Sequence, residues 1–402
     1  MTYDVAAVRS HFPALEEGAA HFDGPGGTQS PRVVGEAVAR MLGSAVANRG
    51  IVTRAERRAE DAVTQCRSAL GDLLGTDPQG VVFGRSMTDL TYDVARMLAK
   101  TWAPGDEVVV TRLDHDANVR PWVQAAEAVG ALPRFADFDP TTGELVPDDI
   151  AAHLSDRTRL VAVTAASNLI GTMPDIAAIT RLVHERTDAL VYVDGVHYTA
   201  HHTVDRIASG ADFWACSPYK FLGPHCGVVA ADPALLTTLR PDKLLPATDA
   251  VPERFELGTL PYELMAGTTA AIDFLAGLSG VSAGSRRDRL VAAYAELDKH
   301  ERMLRDRLEP TVRDLPGVQV YSNATHRTPT LLLTVAGWDS QDVRGELAAR
   351  WINAPAGNFY ALECSRHLGL GDAGGLRIGL APYTDENDID RLLTALRALL
   401  LT

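Results

Sequence analysis

ALVYVDGVHYTAHHTVDRIASGADFWACSPYKFLGPHCGVV, residues 189–229, contains two apolar runs that each stop at a polar, reactive side chain. The first, Ala189–Val193, is uninterrupted and ends at Asp194 and Gly195. That is the pattern of a strand buried on both faces of a parallel sheet and delivering a carboxylate at its end. The second, Asp212–Cys216, is followed by Ser217, Tyr219 and Lys220 before the turn Gly223–Pro224, so Lys220 projects from a rigid edge. An amine, a carboxylate and hydroxyls at strand ends meet the needs of pyridoxal phosphate (PLP). Its aldehyde bonds an amine, its pyridine nitrogen faces a carboxylate, and its phosphate takes hydroxyl or N–H donors. A lone lysine near a turn is ordinarily a solvated charge. Both pieces at strand ends, in this order, are specific.

Outward from this stretch the chain alternates strands and helices. Val81–Phe83 reads as a strand, followed by Ser86, Met87 and Thr88 at the start of a helix running to about Trp102. Free N–H groups and the dipole at such a start favour a phosphate. Glu107–Thr111 and Leu160–Ala165 read as strands and Asp175–Glu185 as a helix. Alternation from 81 to 231 predicts an α/β fold with a mainly parallel sheet covered on both faces. Ligands of such sheets gather beyond the carboxyl ends of the strands. Helical spacing also marks 31–42, 53–74, 262–278, 285–308 and 384–400, and three strands are expected near 330–335, 351–354 and 376–380. The expected division is an N-terminal segment (1–20) packing with a smaller α+β C-terminal domain (263–402), and a large cofactor-binding domain (21–262). Gly24–Gly27 is a loop whose backbone can approach a ligand.

Residues 194–220 resemble the cofactor core of class V aminotransferases, PLP fold type I, and most closely the cysteine desulfurase and selenocysteine lyase branch. The resemblance extends over nearly the whole chain and implies a seven-stranded sheet and a homodimer with shared active sites. It makes Lys220 the lysine bonded to PLP, Asp194 the partner of its pyridinium, and Ser217 and Tyr219 phosphate ligands beside Ser86, Met87 and Thr88. His197 and Asn168 would meet the ring's phenolic oxygen. Thr259 would reach the phosphate of the other subunit, and Arg49 would lie near the partner's site. Arg377 would bind the α-carboxylate of an amino-acid substrate.

Two places depart from that pattern. Aligned on Asn118 and Pro121–Trp122, the position of the ring-stacking histidine holds Asp116, with His115 one residue earlier. Both are therefore site candidates, His115 as a catalytic one. The desulfurase thiolate follows a glycine on a loop of the C-terminal domain. Here Gly357 is followed by Asn358, a substrate-site candidate, then Phe359 and Tyr360, with Cys364 beyond.

A net charge of −14 argues against nucleic-acid and anionic-membrane partners, which demand a basic face. The chain has no apolar run near the ~18 residues of a membrane span and no signal pattern at its N-terminus, so a cytoplasmic location is expected. Its four cysteines form no C-x-x-C pair, and free thiols are the expectation. His197 and His201 have the spacing of helical metal ligands without a matching acid, so no metal site is expected. The function expected is a PLP-dependent lyase cleaving a C–S or other β-substituent bond without the usual catalytic cysteine. The alternatives are an aminotransferase or epimerase, a true desulfurase using Cys364, and a binding protein without turnover. Lys220, Asp194 and Arg377 speak against the last.

Overall fold

Seven short runs rich in Val, Ala and Phe assemble into one sheet in this computed structural model, which describes residues 3–400. Their spatial order is Val81–Gly84, Gly227–Ala231, Phe213–Cys216, Leu190–Asp194, Thr158–Thr164, Glu107–Thr111 and Leu132–Ala136. Gly227–Ala231 is antiparallel to both neighbours, and the other pairings are parallel. Alternate side chains point to opposite faces. Val191, Val193, Trp214 and Val228 enter one hydrophobic core; Tyr192, Phe213, Ala215 and Val229 enter the other. Both faces are covered, which is why these strands read as apolar runs without alternation. The edge strand Leu132–Ala136 gave no such signal. Leu132 is exposed, and Pro133 sits where a missing N–H harms no ladder.

On one face Tyr262–Gly277 packs against Arg32–Leu42 and Arg54–Leu74. Gly267 allows the closest approach, since a Cβ there would lie 2.6 Å from a Val38 methyl. Arg54–Leu74 starts with a capping box between Thr53 and Glu56. The helix expected to end near Leu308 continues to Arg313. The last helix begins at Glu386 rather than Thr384, because Asp385 acts as its cap. Asp388 N–H donates to Asp385 Oδ1 at 2.8 Å, and Asp385 N–H returns a bond to Asp388 Oδ2 at 3.4 Å.

The second sheet is antiparallel, in the order Ala356–Gly357, Gly375–Gly379, Thr330–Val335 and Val318–Val320. The strand expected over 351–354 is only Ile352–Asn353, and it pairs in parallel with Ala20–His21 at the other end of the chain. Arg9 reinforces this junction through Asp385 (3.2 Å) and Asp388 (2.7 Å). Just beyond Ala20–His21, Asp23 bridges to Gly379. The glycine-rich turn 23–27 is therefore held against the strand that carries Arg377.

Candidate active site

Four strands of the large sheet end in polar residues, and the turns after them converge. Leu190–Asp194 delivers Asp194 and His197; Phe213–Cys216 delivers Ser217, Tyr219 and Lys220. Glu107–Thr111 leads to His115, and Thr158–Thr164 to Asn168. All of these line an inner cavity of about 90 Å³, together with Ser86, Met87 and Thr88. An outer cavity of about 500 Å³ shares His115, Asn168 and Lys220, and adds Asp116, Arg377 and Asp23.

The electrostatics follow from burial. Asp194 is 5% exposed, and loss of water pushes its carboxyl up to about 6, opposed by the Val196 N–H donating to Oδ1 at 2.9 Å. It remains mainly ionised at neutrality. Burial, then the charge of Arg377, brings the Lys220 amine down to about 7. Lys220 Nζ donates to the carbonyls of Pro25 and of Gly26, the latter at 3.0 Å. Burial, then Lys220 and Arg377, lowers His115 to about 4, so its ring is neutral. His115 Nδ1 accepts the Ala117 N–H at 3.0 Å, which places the proton on Nε2.

The geometry separates the two candidates for the histidine position. His115 lines both cavities beside Lys220. Asp116 lines the outer cavity alone, where Oδ1 accepts from Arg120 Nε at 2.9 Å and its N–H donates to the Tyr360 carbonyl at 2.7 Å. Asn118 underpins this turn: its Nδ2 donates to Asp114 Oδ1 (2.7 Å), and its Oδ1 accepts from Trp122 Nε1 (3.0 Å).

Three candidates line neither of these cavities, and for two of them, Arg49 and Thr259, the expected site was that of a partner subunit. Arg49 is ion-paired with Glu60 and Glu253, both at 2.9 Å. Thr259 is exposed on the segment after Glu256. Asn358 lines an adjoining cleft that shares Phe359 and Tyr360 with the outer cavity. Its Nδ2 donates to the Asp372 carbonyl at 2.8 Å, and its Oδ1 accepts the Tyr360 N–H at 3.0 Å. Cys364 is fully buried, and burial pushes its thiol far up, so no thiolate forms there at neutral pH.

Sequence reading missed Asp23, Phe359 and Tyr360 as site residues. Phe359 and Tyr360 have φ of 53° and 61°, left-handed values uncommon outside glycine. Asn168 Nδ2 donates to the Phe359 carbonyl at 3.0 Å and holds this turn over the cleft. The Phe359 ring covers Arg377, with 3.7 Å between the guanidinium carbon and the ring centroid. Nothing local in Gly357–Tyr360 announces a turn of this kind; a Gly-Asn pair was the one available hint.

The family model for aminotransferase class-V matches residues 20–392. The chain belongs to the class V aminotransferase family. A protein of Mycobacterium tuberculosis described as uncharacterized is 33% identical over 401 residues, covering 99% of this chain and 100% of that one. The crystal structure of a cysteine desulfurase from Escherichia coli, in its S-sulfonic acid form, superposes with a TM-score of 0.87 and 26% identity over 100% of both chains. A C-DES variant with glycine covalently linked to its PLP cofactor shares the fold, with a TM-score of 0.79, 21% identity, and 97% and 98% coverage of this chain and that one. The seven-stranded architecture is thus that of PLP fold type I, and the cofactor of this family member is PLP.

The pocket fits that group. His197 Nδ1 and Asn168 Oδ1 are buried without a partner among the described residues, both on the cavity wall. Burial leaves such atoms costly unless a ligand meets them. The helix Met87–Ala99 opens onto the same wall, and Gly227 lets its first turn approach, since a Cβ there would lie 2.1 Å from the Ser86 carbonyl carbon. Ser86 Oγ itself caps this helix, accepting from the Asp89 N–H at 3.0 Å.

Proposed function

We propose that this PLP-dependent enzyme is a lyase that removes a β-substituent, sulfur or another leaving group, from an amino acid without a protein thiol. The observation that carries this reading is the turn Gly357–Tyr360. By the resemblance a desulfurase nucleophile would follow Gly357, where this chain has Asn358, Phe359 and Tyr360, and Cys364 is sealed in the core. Asp194 would hold the pyridine nitrogen, His197 and Asn168 the phenolic oxygen, and Ser217, Tyr219 and the helix start at Met87–Thr88 the phosphate. PLP, when bound, withdraws the electron pair left at the substrate's α-carbon. Arg377 anchors the α-carboxylate through charge-assisted hydrogen bonds. The Lys220 amine, brought down to about 7, takes the α-proton near neutral pH. His115 lines the outer cavity as a neutral ring whose Nε2–H can donate a hydrogen bond to a departing group, while the proton that group takes up comes from the Lys220 ammonium formed by α-proton removal. The test is to supply amino acids and β-substituted cysteine derivatives and assay the products. Pyruvate with ammonia is expected. Alanine with sulfur left on the protein would establish a desulfurase, and a new amino acid with a keto acid an aminotransferase.

We further propose that the enzyme is a homodimer. Leu42, Ile51 and Val52 are 70–78% exposed, and Leu244, Leu245 and Leu257 are 63–96% exposed. The Arg49–Glu253 pair ties the two segments into one region that also carries Thr259. Large apolar side chains left this exposed call for a covering surface.

A further inference from the structure

Arg377 is 1% exposed, and a guanidinium withdrawn from water needs a counter-charge. That charge comes from Asp23: Arg377 Nη2 donates to Asp23 Oδ1 at 2.6 Å. Nη1 donates to the Asn168 carbonyl at 3.0 Å, Phe359 covers one face, and Nε is buried without a partner among the described residues. The two halves of the pair differ in freedom. The Asp23 side chain is 44% exposed and sits on a turn, whereas Arg377 is fixed in the middle of a strand. The turn is tight: the N–H groups of Gly26 and Gly27 both donate to the Asp23 carbonyl at 3.0 Å. A Cβ on Gly26 would lie 2.3 Å from Asp23 Oδ1, so the carboxylate rests directly against the glycine. Asp23, Arg377 and Lys220 all line the outer cavity.

We propose that Asp23 is a built-in competitor for Arg377, a resident carboxylate that the substrate's own carboxylate must displace. The proposal rests on the reading of Arg377 as carboxylate anchor. Exchange of one carboxylate for another keeps the buried guanidinium neutralised throughout. An amine or amide without a carboxylate cannot take part in that exchange. Asp23 holds Arg377 through one oxygen, and an incoming carboxylate able to bond through two replaces it favourably. Asp23 thereby sets how strong a carboxylate ligand must be to enter, and is a specificity-determining residue of the site.

The experiment is a calorimetric titration of the holoenzyme and its Asp23→Asn variant with propionate, using propionamide as the uncharged control. Asp23→Asn is expected to bind propionate about tenfold more tightly, with propionamide unchanged. Its melting temperature should be lowered, because Arg377 has lost its counter-ion, and should recover as propionate is added. Gly26→Ala displaces the carboxylate without removing its charge, and should tighten propionate binding by a smaller factor. If Asp23→Asn fails to fold, Gly26→Ala decides the matter. Unchanged or weaker propionate affinity in the variant that is measured would show that Asp23 merely orients Arg377, and the proposal would fall. Arg377→Lys separates the two levels. Wild-type propionate affinity in that variant overturns the anchor reading, and this proposal with it. Loss of affinity there, without tightening in Asp23→Asn, overturns only the competitor.

Discussion

Replacing Cys364 by alanine removes one sulfur from a site with no solvent exposure. The neighbours are packed core, so the loss resembles deletion of a single buried methyl-sized group and costs about 1 kcal/mol of stability. In a chain of 402 residues that lowers the melting temperature by about 2 °C. Turnover should stay within about twofold of the parent, because burial keeps this thiol protonated and out of the cleft. Removal of a covalent nucleophile has a different scale, several orders of magnitude in kcat. The assay is release of pyruvate and sulfide from cysteine and its β-substituted derivatives, beside calorimetric melting. Alkylation gives an independent readout. Folded enzyme should leave Cys364 unlabelled by iodoacetamide, whereas denatured enzyme takes label on all four cysteines. Abolished sulfide release in Cys364→Ala, with cofactor binding and melting unchanged, would refute the reasoning and make this thiol the nucleophile.

Borohydride treatment of the PLP-loaded enzyme should attach the cofactor irreversibly to Lys220, as read by peptide mass spectrometry, and Lys220→Ala should yield no adduct. In the apoprotein the Lys220 amine lies at about 7 against an ordinary 10.5, so the unfolded chain binds its proton more tightly between those values. Stability measured by urea unfolding should therefore carry a rising contribution from pH 7 towards 10.5 that Lys220→Met removes. Arg67→Met leaves the buried Glu256 carboxylate without its 2.6 Å ion pair and should cost about 3–5 kcal/mol, part of which Glu256→Gln in the same chain restores. Ile51→Asp combined with Leu245→Asp should shift the protein to monomer in sedimentation velocity; an unchanged dimer would place the interface elsewhere.

The strands of the sheet centre were legible because burial on both faces demands apolar runs, as at Ala189–Val193 and Leu160–Ala165. Their terminal residues Asp194, Ser217 and Lys220 were legible for a related reason, since a polar group directly after such a run emerges at the sheet's edge. Strands stabilised from outside themselves were not. Leu132–Ala136 is an edge strand with a proline, and Ile352–Asn353 owes its pairing to Ala20–His21, more than three hundred positions away in the chain.

The candidate site divides along the same line. Sequence by itself determined the cofactor chemistry, because an amine and a carboxylate at adjacent strand ends are a local pattern that one stretch can hold. Tertiary structure alone decided what surrounds them. It placed His115 rather than Asp116 beside Lys220, set Phe359 over Arg377, and paired Arg377 with Asp23, 354 positions away in the chain. A buried charge takes its partner from whatever the fold brings within hydrogen-bonding distance. The spacing of residues along the chain carries no record of that distance.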